Sequence, residues 1–335
     1  MEDKISNSRI LVTGGAGFIG SHLVDQLLNT GYNVVVLDNL SNGNLDNLSD
    51  ALVNPKFKFI EGTILDSDIC HLAMTDVDVV FHLACLGVRH SIHSPFENHQ
   101  VNAEGTLNVL LAAKKVNVKQ FIYISTSEIY GRTSTFPITE NNLTHPLTVY
   151  GASKLAGEHY TNSFYECYGM NTTVLRIFNN YGPRAHFEGD SGEIIPRTIV
   201  NVLNDIEPVI FGDGSITRDF FFVKDTAKVL SSLIGNIALK GNTYNLGTGV
   251  EISMKKLVET ILNLIPEKQI PIKYMEDRPA DVPRLWVDAS KIRNRVNIEN
   301  ECDFENGILE SINYYKELNK ISKLSEKIKL INWEK

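Results

Sequence analysis

The sequence has little of what marks secreted proteins, membrane proteins, and zinc or redox sites. It contains four cysteines in 335 residues, and no two form a Cys-x-x-Cys pair, so we expect reduced thiols. Its longest nearly apolar run, residues 77–88, includes an aspartate and a histidine and is too short to span a bilayer. The first residues lack the basic-then-apolar order of a signal peptide. These absences predict a cytoplasmic protein without membrane attachment.

The sequence also lacks an excess of positive charge. Its net charge is −8 and it has no long basic block, which argues against nucleic acid as a partner. An anionic ligand must therefore be held by individual arginines and helix ends, against the overall field. With 43% hydrophobic and 21% charged residues, the composition is typical of a soluble globular protein. The length predicts one large domain or two fused domains.

Three glycines spaced three residues apart follow the first apolar run. Gly14, Gly17 and Gly20 separate a predicted strand, residues 10–13, from a helix-like segment, residues 21–29. In this pattern the first glycine permits a tight turn, the second lets the backbone approach a pyrophosphate, and the third lets helix pack on strand. The helix N-terminus presents free N–H groups to the phosphates. A packing turn is the alternative, but the context favours a dinucleotide site.

An acidic residue closes the strand that follows. Asp38 ends the apolar run of residues 34–37, eighteen positions after Gly20. A carboxylate at this place accepts hydrogen bonds from the 2′-hydroxyl of a ribose. The same carboxylate repels a 2′-phosphate. The predicted cofactor is therefore NAD rather than NADP.

Strand and helix patterns alternate up to about residue 178. The predicted strands are residues 10–13, 34–37, 57–61, 79–83, 121–125 and 173–177, and the two predicted long helices are residues 103–116 and 152–168. Runs that are apolar on both faces, separated by helix-sized segments, predict a parallel sheet covered on both sides. The predicted fold is therefore α/β, a Rossmann-type doubly wound parallel sheet in an NAD-binding domain of residues 1–178.

The pattern changes after residue 178. Loops that contain glycine and proline, notably residues 183–196 and 276–283, alternate with shorter elements. This predicts a smaller C-terminal substrate-binding lobe, residues 179–335, with one strand or more returning to the main sheet. Residues 316–335 are lysine-rich and compatible with a helix, and we expect them to form only a solvated surface.

A tyrosine and a lysine lie one helical turn apart at the start of the second long helix. Tyr150 alone among twelve tyrosines has a lysine four residues later, Lys154, and such a pair shares one helix face. A nearby ammonium stabilises a phenolate, so Lys154 is predicted to lower the pKa of Tyr150 toward neutrality. That phenolate can take a proton from a sugar hydroxyl while hydride leaves the same carbon. A chance pairing is the alternative.

Hydroxyl and carboxyl side chains follow the fifth predicted strand. Ser125, Thr126, Ser127 and Glu128 occur at its carboxyl end, where open parallel sheets bind ligands. Because successive side chains of an extended strand alternate, Thr126 and Glu128 are predicted to share a face. The alternative is that the hydroxyls only cap a turn, and that Glu128 faces solvent or pairs with Arg132.

Together these motifs resemble the extended short-chain dehydrogenases/reductases of the NAD-dependent epimerase/dehydratase family, which act on nucleotide sugars. The resemblance covers roughly residues 9–315. Besides the glycine loop and the Tyr150/Lys154 pair, it depends on FHLA at 81–84, VNAEGT at 101–106, STSE at 125–128, RIFNNYGPR at 176–184, GDGSITRDF at 212–220 and RPADVPR at 278–284. These motifs are specific for the family and much less so for the individual reaction.

The resemblance implies a role for individual residues. It implies that NAD contacts Gly14, Gly17, Phe18, Ile19, Gly20, Asp38, Asn39, Thr63, Ile64, Ala84, Ser125, Tyr150 and Lys154. It implies a nucleotide-sugar substrate, with a leaning toward a UDP-sugar, held by Asn179, Arg218, Arg278 and Asp281. The implied catalytic residues are Thr126, Glu128, Tyr150 and Lys154, with Tyr150 as the base. A homodimer joined through the two long helices is implied as well.

One position departs from the family pattern. Thr63 stands where the family often has an aspartate that contacts the adenine amino group, and Asp66 is the other carboxylate close by. We therefore expect somewhat weaker NAD binding. His90 and His93 are spaced like metal ligands, but no second pair of ligands follows at a matching spacing, so no metal site is expected.

Glu128 favours one reaction outcome. Oxidation at carbon 4 of the hexose, expected in all such enzymes, acidifies the hydrogen on carbon 5. A 4,6-dehydratase then needs a base for carbon 5, which Glu128 suits, and an acid for the oxygen on carbon 6, where Ser127 replaces the aspartate of many dehydratases. A 4,6-dehydratase is therefore the preferred interpretation. A UDP-sugar 4-epimerase is a close second and a UDP-glucuronate decarboxylase third.

Two other classes of protein remain as alternatives. One is an NAD-binding protein without activity, and the presence of Thr126, Tyr150 and Lys154 argues against it. The other is a ketoreductase for small molecules, which has no need of Arg218 and the other predicted substrate residues in a C-terminal lobe.

Overall fold

A seven-stranded parallel sheet forms the centre of the protein. The computed structural model describes residues 8–277, 282–298 and 302–329. Its strands are β1 (Arg9–Thr13), β2 (Asn33–Asp38), β3 (Phe57–Glu61), β4 (Val79–His82), β5 (Gln120–Thr126), β6 (Thr172–Ile177), β7 (Asn179–Tyr181), β8 (Val209–Phe211), β9 (Thr217–Arg218), β10 (Phe220–Phe222), β11 (Asn242–Leu246), β12 (Ile252–Ser253), β13 (Lys273–Met275) and β14 (Arg284–Leu285). The main sheet has the order β11-β6-β5-β4-β1-β2-β3, and each neighbouring pair is parallel.

Helices cover both faces of this sheet. They are α1 (Phe18–Asn29), α2 (Ser49–Leu52), α3 (Ser67–Ala73), α4 (Val88–His93), α5 (Pro95–His99), α6 (Thr106–Lys115), α7 (Val149–Tyr168), α8 (Ile194–Leu203), α9 (Val223–Ser232), α10 (Met254–Leu264), α11 (Ser290–Arg293) and α12 (Phe304–Ile321). In β1, Ile10 and Val12 pack with α1 and α9, whereas Leu11 packs on the opposite face with α3 and α6. The predicted Rossmann-type α/β fold is confirmed.

The strand order changes direction at β1. This strand lies between β2 and β4, so the connections that leave β1 and β4 run to opposite sides of the sheet. Such a switch point opens a crevice at the carboxyl ends of the two strands, which is where doubly wound sheets bind ligands. The glycine loop that follows β1 and the segment that follows β4 both border this crevice.

The helix that carries Tyr150 begins three residues before its predicted start. α7 starts at Val149 because the Thr148 Oγ1 accepts a hydrogen bond from the Gly151 backbone N–H at 3.1 Å, an N-cap that the prediction overlooked. The helix ends at Tyr168, and the C-cap Gly169 that follows has a φ of 65°, the left-handed conformation usual for a glycine at this place. Tyr150 therefore lies in the first turn, at the crevice end of the helix.

The other predicted long helix differs at its start. Gln100–Gly105 form a π-helical segment that leads into α6. Within it, the Asn102 side chain accepts a hydrogen bond from the Leu86 N–H and donates one to the Leu86 carbonyl, both at 2.9 Å. The irregular turn thus holds the segment that follows β4.

The second part of the chain has a hydrophobic core of its own. Its helices α8, α10 and α12 bury apolar side chains against one another, while β11 returns to the main sheet beside β6. The boundary at residue 178 stays a prediction. The expectation of a purely solvated surface after residue 316 is wrong for Leu324, which is 1% exposed and packs into this second core.

Candidate active site

A cavity of about 920 Å³ opens at the carboxyl ends of the central strands. The predicted site residues that line it are Gly14, Gly17, Phe18, Ile19, Gly20, Asp38, Asn39, Thr63, Ile64, Ala84, Ser125, Thr126, Glu128, Tyr150, Lys154, Asn179 and Arg218. Arg278 and Asp281 lie outside the described residues. The cavity therefore brings together the predicted cofactor, catalytic and substrate residues that the structure describes.

The glycine loop needs glycine for space as well as for conformation. Gly14 has a φ of +72°, and a Cβ there would lie 2.7 Å from the backbone nitrogen of Ala84. A Cβ on Gly20 would overlap the Gly14 carbonyl, so this glycine lets α1 approach the turn that directly follows β1, rather than the strand itself as predicted. Gly17 caps α1 without a side-chain hydrogen bond. The N–H groups of the first helical turn are thus left for a ligand.

Asp38 holds the glycine loop in place. Its carboxylate accepts hydrogen bonds from the N–H of Ala16 at 3.0 Å and from the N–H of Leu40 at 2.8 Å. Burial raises the pKa of Asp38, and the two backbone donors act against that rise. The carboxylate also lines the cavity, so its predicted contact with a ribose remains geometrically open.

Thr63, and not Asp66, lines the cavity beyond β3. The Thr63 Oγ1 accepts a hydrogen bond from the Leu65 N–H at 3.2 Å. Asp66 is instead the N-cap of α3, where its carboxylate accepts hydrogen bonds from the N–H groups of Asp68 and Ile69. Asp66, the carboxylate noted close to the expected adenine position, therefore caps a helix.

A buried chain of hydrogen bonds lies below Ala84. The Ala84 N–H donates to the Thr13 Oγ1 at 3.3 Å, and that hydroxyl is 2.7 Å from the Nδ1 of His82. The Nε2 of His82 is 2.9 Å from the Thr106 Oγ1, which donates to the Asn102 carbonyl at 2.8 Å. Burial lowers the pKa of His82 to about 3. The ring is therefore neutral, and its hydrogen bonds connect β4 to β1 and to α6.

The pKa of Tyr150 moves in the direction opposite to the prediction. Burial raises it well above its usual value, the charges of Cys85, Glu128 and Glu193 add to the rise, and a hydrogen bond with Thr126 opposes it. Lys154 does not reverse this rise. Its Nζ donates to the Ile124 carbonyl at 2.6 Å, and burial lowers the pKa of the lysine itself.

The turn after β5 differs from the predicted extended tail. The strand ends at Thr126, and Ser127–Ile129 form a turn of 3-10 helix. The N–H of its second residue, Glu128, donates to the Thr126 Oγ1 at 3.2 Å. The argument that strand alternation places Thr126 and Glu128 on one face is therefore wrong. Thr126 does cap a turn, as the alternative interpretation held, and it also bonds with Tyr150.

Four further side chains at the Tyr150 end of the cavity were missed. They are Cys85, Arg89, His186 and Glu193. The charges of Cys85 and Glu193 act on Tyr150, and those of Arg89 and His186 act on Glu193. Only Cys85 had a usable signal, since it directly follows Ala84 at a strand end. The others come from α4 and from the loop of residues 183–193, whose fold the sequence pattern does not predict.

Two of the predicted substrate residues lie on short strands outside the main sheet. Asn179 in β7 donates from its Nδ2 to the Asp219 carbonyl at 3.3 Å. Arg218 in β9 donates from its Nη1 to the carbonyls of Thr217 at 2.8 Å and Val282 at 2.7 Å. These bonds hold both side chains at the cavity wall.

The two histidines considered as metal ligands pair with different carboxylates. His90 is 3.3 Å from a Glu97 carboxylate oxygen, and His93 is 3.7 Å from one of Asp190. Over residues 8–277, 282–298 and 302–329, no group of three potential ligand side chains is found. Within the same ranges, no helix has both the length and the apolar character needed to cross a membrane.

Comparison with known proteins identifies the family. The sequence model described as GDP-mannose 4,6 dehydratase matches residues 11–311. The chain belongs to this family of NAD-dependent nucleotide-sugar epimerases and dehydratases. A UDP-glucose 4-epimerase of Mycolicibacterium smegmatis is 34% identical over 311 residues, which are 92% of this chain and 98% of that protein. A dTDP-glucose 4,6-dehydratase of Actinoplanes is 32% identical over 317 residues, with 92% and 98% covered.

A solved structure extends the comparison. The UDP-glucuronic acid 4-epimerase of Bacillus cereus, in complex with UDP-glucuronic acid and NAD, has a TM-score of 0.86 and 32% identity, and the match covers 92% of this chain and 99% of that one. Relatives of similar sequence identity are thus named as epimerases and as a dehydratase. The similarity shows an enzyme of the family without distinguishing between these outcomes.

Proposed function

We propose that the cavity binds NAD and a nucleotide sugar. The residues present fit this cofactor, because a glycine cradle that a Cβ would fill leads to an uncapped helix N-terminus, and a carboxylate stands at the end of β2. The Ser125 Oγ supports the fit, since it is buried and has no hydrogen-bond partner among the described residues. When bound, NAD supplies a hydride acceptor for carbon 4 and a positive charge that favours the Tyr150 phenolate.

Tyr150 is the base for the hydroxyl on carbon 4 in this proposal. Its hydrogen bond with Thr126 orients the phenol and favours its ionised form. The Ile124 carbonyl fixes the Nζ of Lys154, one helical turn further along α7. Because the pKa of Tyr150 is raised, the phenol keeps its proton, and it becomes available as a base only when positive charge enters the cavity. Proton removal would then be coupled to cofactor occupancy.

The proposed outcome is loss of water across carbons 5 and 6, a 4,6-dehydration. The observation that carries it is the position of Glu128, which lines the same cavity as Tyr150 and lies close enough for its charge to raise the pKa of that phenol. A carboxylate beside the base of carbon 4 is suited to removing the acidified proton from carbon 5.

A 4-epimerase is the second candidate. The 34% identical relative of Mycolicibacterium smegmatis supports it, since that protein is named a UDP-glucose 4-epimerase. In such a reaction Glu128 would have no proton to remove. The third candidate, a UDP-glucuronate decarboxylase, would need cations near the sugar, and Arg89 is a cation that lines the cavity.

The substrate and the assembly belong to the same proposal. A UDP-sugar is preferred, in keeping with the UDP-glucuronic acid bound to the epimerase of Bacillus cereus. The homodimer through α6 and α7 and the cytoplasmic location remain predictions.

Mass spectrometry after incubation with UDP-glucose, dTDP-glucose or GDP-mannose tests the reaction. We expect loss of one water, whereas an unchanged mass with inverted carbon 4 favours the epimerase and loss of carbon dioxide from UDP-glucuronate favours the decarboxylase. In the Glu128→Gln variant, substrate deuterated at carbon 5 should keep its label while reduced NAD accumulates, seen by its absorbance. Glu166→Gln, an exposed carboxyl of α7, is the matched control. Dehydration by Glu128→Gln at the wild-type rate would contradict the role of Glu128.

A further inference from the structure

The loop of residues 183–193 brings a second carboxyl group to the Tyr150 end of the cavity. Glu193 is the N-cap residue of α8, yet its side chain makes no capping hydrogen bond. Its backbone is held on both sides, because its N–H donates to the His186 carbonyl at 2.7 Å and its carbonyl accepts from the Arg197 N–H at 3.2 Å. The backbone is thus fixed while the side chain faces the cavity.

The Glu193 carboxyl lies near Tyr150 and makes no contact with the described residues that would give it a structural role. Within the described ranges, no hydrogen bond or ion pair to it is found, unlike Glu188 nearby, which pairs with His186 at 3.5 Å. Its charge raises the pKa of Tyr150, as that of Glu128 does. Two carboxyl groups from different elements, the turn after β5 and the loop before α8, therefore lie close to Tyr150.

We propose that Glu193 is the acid that protonates the oxygen leaving carbon 6. This inference rests on the proposed dehydration. That reaction needs one group to remove a proton from carbon 5 and another to deliver a proton to the leaving oxygen. Ser127 stands where many dehydratases have the acid, and its hydroxyl is too weakly acidic for the task. The described carboxyl residues that line the cavity are Asp38, Glu97, Glu128 and Glu193. Glu128 and Glu193 are the two whose charges raise the pKa of Tyr150, whereas Glu97 pairs with His90 at 3.3 Å.

The step balances in atoms and charge. Glu128 takes the proton from carbon 5 of the 4-keto sugar, and the electron pair of that bond forms the double bond between carbons 5 and 6. The bond between carbon 6 and its oxygen breaks, with its electron pair moving to the oxygen. Glu193 gives its proton to this oxygen, which leaves as water. Glu128 ends the step protonated and Glu193 ends it as a carboxylate.

The surroundings of Glu193 favour the form that the step requires. Burial raises the pKa of Glu193, against the opposing positive charges of His186 and Arg89. The same two cations then stabilise the carboxylate that proton donation leaves behind. A site that holds the acid protonated beforehand and tolerates its charge afterwards is suited to a general acid.

The test separates proton removal at carbon 5 from water loss, in heavy water with the NAD-loaded enzyme. The substrate is the one of UDP-glucose, dTDP-glucose and GDP-mannose that the wild type converts. In Glu193→Gln we expect water loss to fall by about 10²-fold or more. Exchange at carbon 5 should continue within a few-fold of the wild-type rate, so that recovered substrate carries one deuterium. Glu128→Gln should show neither exchange nor water loss.

Matched variants make the outcome decisive. Glu193→Asp keeps an acid on a shorter side chain and should regain part of the water loss, whereas the control Glu166→Gln should behave as wild type. If Glu193→Gln dehydrates normally, or loses exchange and water loss in equal measure, the inference is overturned while the proposed function stands. If the wild type loses no water from any of the three sugars, the proposed function fails, and the assignment of Glu193 fails with it.

Discussion

His22 is expected to make the protein sensitive to mild acid. Its ring lies in α1, is 6% exposed, and has its Nε2 2.9 Å from the Pro183 carbonyl. A carbonyl only accepts hydrogen bonds, so Nε2 carries the proton and the neutral ring already satisfies this contact. Burial lowers the pKa of His22 from 6.5 to about 4, and the charges of Arg184 and Lys224 act in the same direction.

The size of the effect follows from the two pKa values. Between them the unfolded chain binds a proton that the folded protein excludes, so stability is full above about pH 6.5 and is lost as the pH falls toward 4. A difference of about 2.5 between the pKa values corresponds to a loss of about 3 kcal/mol once the pH is below both. His22→Gln keeps a neutral hydrogen-bond donor that does not titrate. The variant should therefore lose less stability over this range.

Urea unfolding followed by circular dichroism at a series of pH values from 7.5 to 4 measures the effect. The two proteins differ only at position 22, so the difference between the two stability curves isolates His22. We expect the wild type to lose up to about 3 kcal/mol more than the variant. Parallel curves would refute the reasoning, because they would mean that the ring is protonated as easily in the folded protein as in the unfolded chain.

Two further predictions concern the site. Tyr150→Phe should lower turnover by about 10²–10⁴-fold, the usual effect of losing a general base, while calorimetry shows NAD binding retained; turnover within a few-fold of wild type would remove Tyr150 from the chemistry. Because the Asp38 carboxylate should repel a 2′-phosphate, NAD should bind at least about tenfold more tightly than NADP, or about 1.4 kcal/mol. Equal affinities in the same calorimeter would contradict the predicted role of Asp38.

The sequence predicted the elements that depend on local pattern. Apolar runs between helix-sized segments indicated six strands of the sheet, and the glycine loop indicated where the crevice opens, because steric and periodic constraints are local. The environment of Tyr150 was not predictable in this way. Its pKa depends on burial and on the charge of Glu193 among others, and Glu193 reaches the cavity through tertiary contacts that residue spacing does not encode.

The turn after β5 shows a second limit of prediction from the sequence. Hydroxyl and carboxyl residues at a strand end suit both an extended tail and a capped turn, and the Thr126 hydroxyl bonds with the Glu128 N–H to form the turn. The hydrogen bond from this backbone N–H to a nearby side chain thus favours the turn over an extended conformation of residues 127–129. Glu193 was missed for a different reason. It lies at the end of an irregular loop, where no helix or strand periodicity predicts which way a side chain faces.

The hydrogen bonds beneath Ala84 can have only one polarity. An amide can only donate and a carbonyl can only accept, so the Ala84 N–H and the Asn102 carbonyl fix the two ends of the chain. The Thr106 hydroxyl gives its proton to that carbonyl, which makes His82 the donor at Nε2 and leaves Nδ1 to accept from the Thr13 hydroxyl. No member can reverse without breaking the whole series. This series of hydrogen bonds beneath the cavity therefore cannot act as a proton wire, and protons that move in the cavity cannot leave along it.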